Sequence, residues 1–302
     1  MLIWTRFPRH EYAQEIILSR NVGCVIGIAG LQHVYPELDP NKPRWADLDA
    51  RVNAVPPGKP IHIHPILNRM PNVKLDTYIA NIDEFAFPII ERYRHRVKRW
   101  TLCNELLLCS HRLNGRLVQP HVFDFYERVS NAFPELDLWI GEYGLRSIQR
   151  VHGKNGILDS LYELKAAAPT FKGLVAVDYM DLSAAGSNRY VTSLKRIAPQ
   201  LALGKFKEHI QHIKEKTGVQ IAIETSVYTG PDPTQTLVAQ QAKAYQQYLG
   251  LCDRHQLELW QWNLVDGPAV SMTWARDREK TERPGWIDSN GAVKAWAEEF
   301  ME

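Results

Sequence analysis

The sequence predicts an α/β fold, a single (β/α)8 TIM barrel whose N-terminal units are shortened. Two observations carry that expectation. Short apolar, β-rich runs alternate along the chain with longer segments of helical period, which argues for a parallel sheet with helical crossovers. Seven such runs are clear and an eighth stands at Leu2–Thr5, a number that favours closure over an open sheet. No Gly-rich phosphate loop follows any run, which weakens an open, nucleotide-binding sheet.

After Leu2–Thr5, the strand candidates are Val22–Ala29, Pro60–Leu67, Lys98–Cys103, Leu136–Glu142, Gly173–Asp178, Val219–Glu224 and Leu257–Leu264. Most have lost polar alternation, as strands buried on both faces do. Between them, Leu75, Ile79, Ile82 and Phe85 recur at helical spacing, in a helix that Pro88 should end or kink. Phe125, Val129 and Phe133 mark a second helix, and Leu158, Leu161 and Leu164 a third. Phe206, Ile210 and Ile213 then Ala242, Tyr245 and Leu249 mark two more, and Ala292–Phe300 closes the chain. Pro56–Gly58 and Gly230–Pro233 read as barrel loops, and the basic stretch Arg92–Arg99 as the solvated face of a helix. No linker, repeat or low-complexity segment divides the 302 residues, so one domain is expected over 1–302.

The formal net charge of +2 gives no footprint for nucleic acid or an anionic membrane. No run of about 18 apolar residues occurs, and the first residues lack the apolar core and cleavage site of a leader. The expectation is a cytoplasmic chain or a mature secreted form. Cys24, Cys103, Cys109 and Cys252 show no close metal-ligand spacing and read as free, mostly buried thiols. Nine Trp are many for this length, and each is either a core filler or a flat apolar surface of the kind that sugar rings stack on.

A barrel keeps its chemistry at the C-terminal ends of its strands. The residues collected there are His62, His64, Asn104, Glu105, Glu142, Tyr143, Asp178, Tyr179, Asp181, Glu224, Trp262, Asn263 and Asp266. Glu105 and Glu224 each follow an apolar run, and a carboxylate just past a buried strand is rarely there for packing. Carboxylates and indoles facing one cleft suit glycoside cleavage: two acids for the bond, aromatic faces for the rings. Salt-bridged strand-end acids are the plainer reading. His62 and His64 could be hydrogen-bonded core residues, or with a carboxylate could hold zinc. No further His clusters near them, so no metal and no cofactor are expected. Glu142 supports Tyr143 or a loop, or touches sugar; Trp274 and Trp286 are cleft walls or loop anchors.

Several of these stretches resemble glycoside hydrolase family 10, the endo-β-1,4-xylanase barrels of a large retaining clan. The family's Trp-Asp-Val-Val-Asn-Glu strand is matched by Trp100-Thr101-Leu102-Cys103-Asn104-Glu105, and its Thr-Glu-Leu-Asp by Ile223-Glu224-Thr225-Ser226. Its Asn-Asp-Tyr-Asn is matched by Gly141–Gly144, and its Trp-Gly-Val-Thr-Asp by Trp262–Asp266. The likeness runs in order from about Lys59 to the end. Of the family's two histidines on the third strand, only His64 aligns comfortably. Tyr179 stands where the family has a histidine that holds the nucleophile, and Ser226 replaces an Asp.

The resemblance implies a retaining glycoside hydrolase cleaving a β-linked polysaccharide, most like an endo-β-1,4-xylanase. Another glycan (mannan, glucan or a modified sugar) and a non-catalytic carbohydrate-binding barrel are the alternatives. Glu105 is then acid/base and Glu224 nucleophile, with carboxyls roughly 5–5.5 Å apart. Asn104 takes the sugar 2-hydroxyl, Tyr179 orients Glu224, and Trp262 forms the floor under the reacting ring. His62, His64, Glu142, Tyr143 and Trp274 complete the expected substrate-binding set. The expected partner is an oligo- or polysaccharide, with no nucleic acid and no membrane.

Overall fold

A computed structural model describes residues 3–6, 22–27, 31–68, 75–108, 112–113, 116–154, 156–182, 199–229, 234–261, 267–268, 281–282, 292–295 and 297–298. The elements run β1 (Ile3–Arg6), β2 (Gly23–Gly27), α1 (Leu31–Val34), α2 (Ala46–Ala54), β3 (Ile61–His64), β4 (Leu67–Asn68), α3 (Leu75–Ala80) and α4 (Ile82–Tyr93). Then come β5 (Arg99–Asn104), β6 (Arg112–Leu113), β7 (Arg116–Leu117), α5 (Gln119–Ala132), β8 (Asp137–Tyr143), α6 (Ile148–His152), α7 (Ile157–Ala167) and β9 (Phe171–Asp181). α8 (Pro199–Thr217), β10 (Gln220–Tyr228), α9 (Gln235–His255), β11 (Glu258–Gln261), β12 (Gly267–Pro268) and β13 (Thr281–Glu282) follow.

In chain order β1, β2, β3, β5, β8, β9, β10 and β11 each hydrogen-bond to the next, and β11 returns to β1. The pairs β1–β11, β10–β11, β3–β5 and β5–β8 are parallel. Eight neighbouring strands in sequence order with helical crossovers make the (β/α)8 arrangement. The strand expected at Leu2–Thr5 is β1, so the short N-terminal region still supplies both of its strands. By contacts the chain divides into a first unit (1–24, 177–211 and 222–302) and a second (25–176 and 212–221).

In the second unit, α4 buries Ile82, Phe85, Ala86, Ile89, Ile90 and Tyr93. The helix break falls at Asn81, and α4 runs through Pro88 instead of ending there. Pro88 removes one backbone bond, but an apolar stripe this long offsets that loss. Trp100 and Trp139 are fully buried. The Tyr126 hydroxyl on α5 donates to Trp139 O at 2.6 Å and accepts from Cys103 N at 3.2 Å, tying helix to sheet. The basic stretch differs from the expected solvated helix face, because α4 stops at Tyr93. Arg92 makes two bonds to Asp49, at 2.9 and 2.7 Å, and lies over the Trp45 ring. Arg96 donates to the carbonyls of Val55, Pro56 and Lys59, and Arg99, on β5, lies over the Trp139 ring.

In the first unit, Trp4 and Trp260 are buried with ring centroids 6.1 Å apart. The buried stripe of α9 is Gln241, Ala244, Tyr245, Tyr248, Leu251 and Cys252, shifted from the expected Ala242, Tyr245 and Leu249. The shift follows from hydrogen bonding. Gln241 Nε2 donates to Val227 O at 2.7 Å, and the Tyr245 hydroxyl accepts from Val227 N at 3.1 Å. Polar tips with partners let these side chains turn inward. They also grip β10 beyond Glu224, and that strand continues to Tyr228.

Cys24, Cys103 and Cys252 are buried thiols outside any disulfide, and Cys109 lies outside the described residues. Among the described residues, no helix is long and apolar enough to cross a membrane, and no group of three or more His, Cys, Asp or Glu could hold a metal ion.

Candidate active site

Glu105 and its neighbours belong to the second unit, Glu224 and Tyr179 to the first. In the second unit, the β5–β8 register decides which side chains share a face. Thr101 pairs with Trp139, but Cys103 pairs with Ile140 and Asn104 with Gly141, so β5 carries one extra residue. A bulge of this kind flips the alternation. Asn104, instead of Cys103, joins the face of Thr101 and His64. On the other side Asn68 of β4 stands opposite Asn104, and the Asn104 amide donates to Asn68 Oδ1 at 3.2 Å.

Gly141 is where this row needs a glycine. A Cβ there would lie within the van der Waals sphere of Asn104 Oδ1, 2.9 Å from Asn104 Cγ and 3.2 Å from His64 Cε1. Asn104 Oδ1 itself is buried without a hydrogen-bond partner, an acceptor that a ligand hydroxyl could satisfy.

His62 lies on β3 two residues before His64, fully buried, with Nε2 2.9 Å from Thr101 Oγ1 and its ring edge-on to Trp139. Burial holds its pKa well below the ordinary imidazole value, and Arg99 and His64 add to the drop. It is therefore a neutral ring, suited to accept or donate a hydrogen bond and not to carry charge.

Glu105 follows β5 directly, partly exposed, with φ of 58°. A non-glycine residue in the left-handed region is uncommon and concentrates at functional sites. Its backbone N donates to Gly141 O at 2.9 Å. Glu142 stands one residue before the end of β8 and is fully buried. One oxygen pairs with Arg150 Nη2 at 2.7 Å, and the other accepts from Leu107 N at 3.2 Å and Leu108 N at 3.4 Å. Burial pushes its carboxyl up to about 8, against the pull of Arg150 and with a further rise from Glu105. Tyr143 stands next on β8, partly exposed.

In the first unit, the alternation of β9 sends Asp178 and Tyr179 to opposite faces. Asp178 turns to the helix layer, where the Tyr248 hydroxyl donates to its Oδ2 at 2.6 Å. Tyr179 turns the other way and its hydroxyl donates to Glu224 Oε1. Glu224 is buried and opposite Trp260 in the β10–β11 register. A phenol donating to a carboxylate oxygen holds that side chain in one rotamer.

Trp262, Asn263, Asp266, Trp274 and Trp286 lie outside the described residues, as does the side chain of Asp181. Sequence reasoning missed Asn68, Gly141 as a spacer, and Arg150. Asn68 could have been found as a polar residue closing the third strand region. Arg150, seven residues past the end of β8, carried no signal.

No family model matches the chain, and no curated protein matches it in sequence. Solved structures do match. An endo-1,4-β-xylanase from Caldicellulosiruptor owensensis has a TM-score of 0.75 at 14% identity, with 97% of this chain and 94% of that chain covered. The native form of CbXyn10B gives 0.74 at 12%, covering 100% and 96%. Xylanase 10B from Thermotoga maritima gives 0.69 at 15%, covering 97% and 90%. The fold is that of the family 10 glycoside hydrolases, a (β/α)8 barrel.

Proposed function

We propose that this chain is a retaining glycoside hydrolase acting on a β-linked polysaccharide, and that its activity is closest to an endo-β-1,4-xylanase. Both units then serve one catalytic domain. In the first step Glu105 gives its proton to the glycosidic oxygen while Glu224 attacks the anomeric carbon. The bond to the leaving sugar breaks as an ester to Glu224 forms. In the second step water loses a proton to Glu105 as its oxygen displaces Glu224, and the anomeric configuration is restored.

Asn104 would take the sugar 2-hydroxyl on its buried Oδ1, a contact that strengthens in the transition state. Tyr179 holds Glu224 in one orientation. Trp262 is assigned the floor beneath the reacting ring, and His64, Tyr143 and Trp274 the remaining sugar contacts. His62 acts from beneath, as a neutral buried ring.

The observation that carries this reading is the pair of local settings within a xylanase-like fold. Glu105 leaves β5 in a left-handed turn, and Glu224 on β10 already receives a phenolic hydrogen bond. Two acids on separate strands of such a fold are the minimal equipment for double displacement.

The test is Glu224→Gly with added azide. Recovered cleavage yielding a glycosyl azide supports Glu224 as nucleophile. Fresh product from the unsubstituted chain, followed by proton NMR, should keep its anomeric configuration, and an inverted anomer would refute the mechanism. A panel of polysaccharides assigns the glycan. Tight oligosaccharide binding without any cleavage would mark a binding module instead.

A further inference from the structure

We propose that Glu142 and Arg150 form a positioning pair that fixes the turn carrying Glu105; the inference rests on the hydrolase reading of Glu105 as general acid. A fully buried carboxyl group is costly unless its oxygens find hydrogen-bond partners. Here the compensation comes from the turn itself. Leu107 N and Leu108 N, two and three residues past Glu105, both donate to one Glu142 oxygen. Glu105 N donates to Gly141 O, one residue before Glu142 on the same strand. The strand end of β8 therefore holds the turn on both sides of the acid.

Arg150 closes the arrangement. The chain leaves β8 through Gly144, whose φ of 82° is open to glycine, and turns back with Ser147 N donating to Gly144 O. A Cβ at Gly144 would come within 3.1 Å of Arg150 Nε, so the missing side chain leaves room for the guanidinium. Arg150 reaches Glu142 while its side chain stays 34% exposed. Glu142 and Glu105 also feel each other's charge.

The test uses the full chain with Glu142→Ala, Glu142→Gln and Arg150→Met. Amide exchange at Leu107 and Leu108 should quicken by more than about 10-fold in Glu142→Ala, because these amides lose their acceptor. On aryl β-glycosides, kcat/KM for a poor phenolic leaving group should fall by about 10²-fold, the scale of a misplaced catalytic group. The loss for a dinitrophenyl leaving group should be within about threefold, since that oxygen needs little protonation. KM should hold, and Glu142→Gln should recover part of the rate through its remaining acceptor oxygen.

Unchanged exchange at Leu107 and Leu108 overturns the proposal whatever the activity. So does an equal loss across all leaving groups. If exchange quickens but the unsubstituted chain cleaves no glycoside at all, the hydrolase reading falls and the clamp on the turn stands. Should Glu142→Ala not fold, Arg150→Met takes its place, because it removes only the partly exposed partner. The same leaving-group dependence is expected there at about 10-fold, and its absence overturns the proposal.

Discussion

A methyl group at Gly141 would strike the one row of side chains that the β4–β5–β8 register sets abreast. In Gly141→Ala the new carbon falls inside the Asn104 amide, 2.9 Å from its Cγ, and 3.2 Å from His64 Cε1. The amide must swing by about 1 Å or more, which breaks its 3.2 Å bond to Asn68, worth about 0.5–1.5 kcal/mol. Overpacking adds about 1–3 kcal/mol. Urea denaturation should therefore show Gly141→Ala less stable by about 2–4 kcal/mol. The decisive measurement is the same change in an Asn104→Ala background. With no amide to strike, the methyl should cost less than about 1 kcal/mol, leaving a coupling energy of about 1–3 kcal/mol. On a responsive glycoside, Gly141→Ala should also lower kcat/KM by about 10²-fold, less so for a 2-deoxy analogue. An equal cost in both backgrounds, or none in the unsubstituted one, would refute the packing argument.

Tyr179→Phe removes the hydroxyl that donates to Glu224, a bond to a charged group worth about 1.5–3 kcal/mol; kcat/KM should drop by about 10- to 100-fold, read by steady-state kinetics, and an unaltered rate would remove its orienting role. Tyr248→Phe takes the donor from buried Asp178 and should lower stability by about 1.5–3 kcal/mol in urea, whereas a neutral result would mean that Asp178 needs no such support. Glu142 has a folded pKa of about 8, above the ordinary 4.5, so its stabilising contribution is whole below pH 4.5 and is lost as pH rises through about 8. The melting temperature of the unsubstituted chain, relative to Glu142→Gln, should accordingly decline between pH 5 and pH 8.5 on these pKa values; a rising difference would reverse the sign and the argument.

The eight strands were legible because parallel strands covered on both faces leave runs such as Leu174–Val177 and Leu138–Gly141 with little polar interruption. What escaped the reading was hydrogen-bonded burial. Gln241 and Tyr248 look like surface residues until their partners on Val227 and Asp178 are known, and the stripe of α9 turns accordingly. Pro88 reads as a stop, yet the buried stripe around it carries the helix through. At the site, the sequence placed Glu105, Asn104, Glu142, Tyr179 and Glu224 on strand ends but could not assign faces. Only the bulge in β5 decides that Asn104 shares the face of His64, and only the helix layer decides that Asp178 turns from Tyr179. Arg150 had no signature, since the turn that brings it back depends on Gly144 and not on any pattern in Arg150's own segment.

With Glu105 in the role proposed for it, its left-handed backbone sets robustness against turnover. Glycine relaxes freely at a φ of 58°, and asparagine tolerates it, whereas glutamate is held there at a penalty on the order of 1 kcal/mol. A randomised library of this position, selected for heat tolerance alone, should drift toward Gly and Asn and yield hardy, inert descendants. Sequencing the survivors would show it. Selection that also demands product would keep the strained acid and look for its gains elsewhere in the chain.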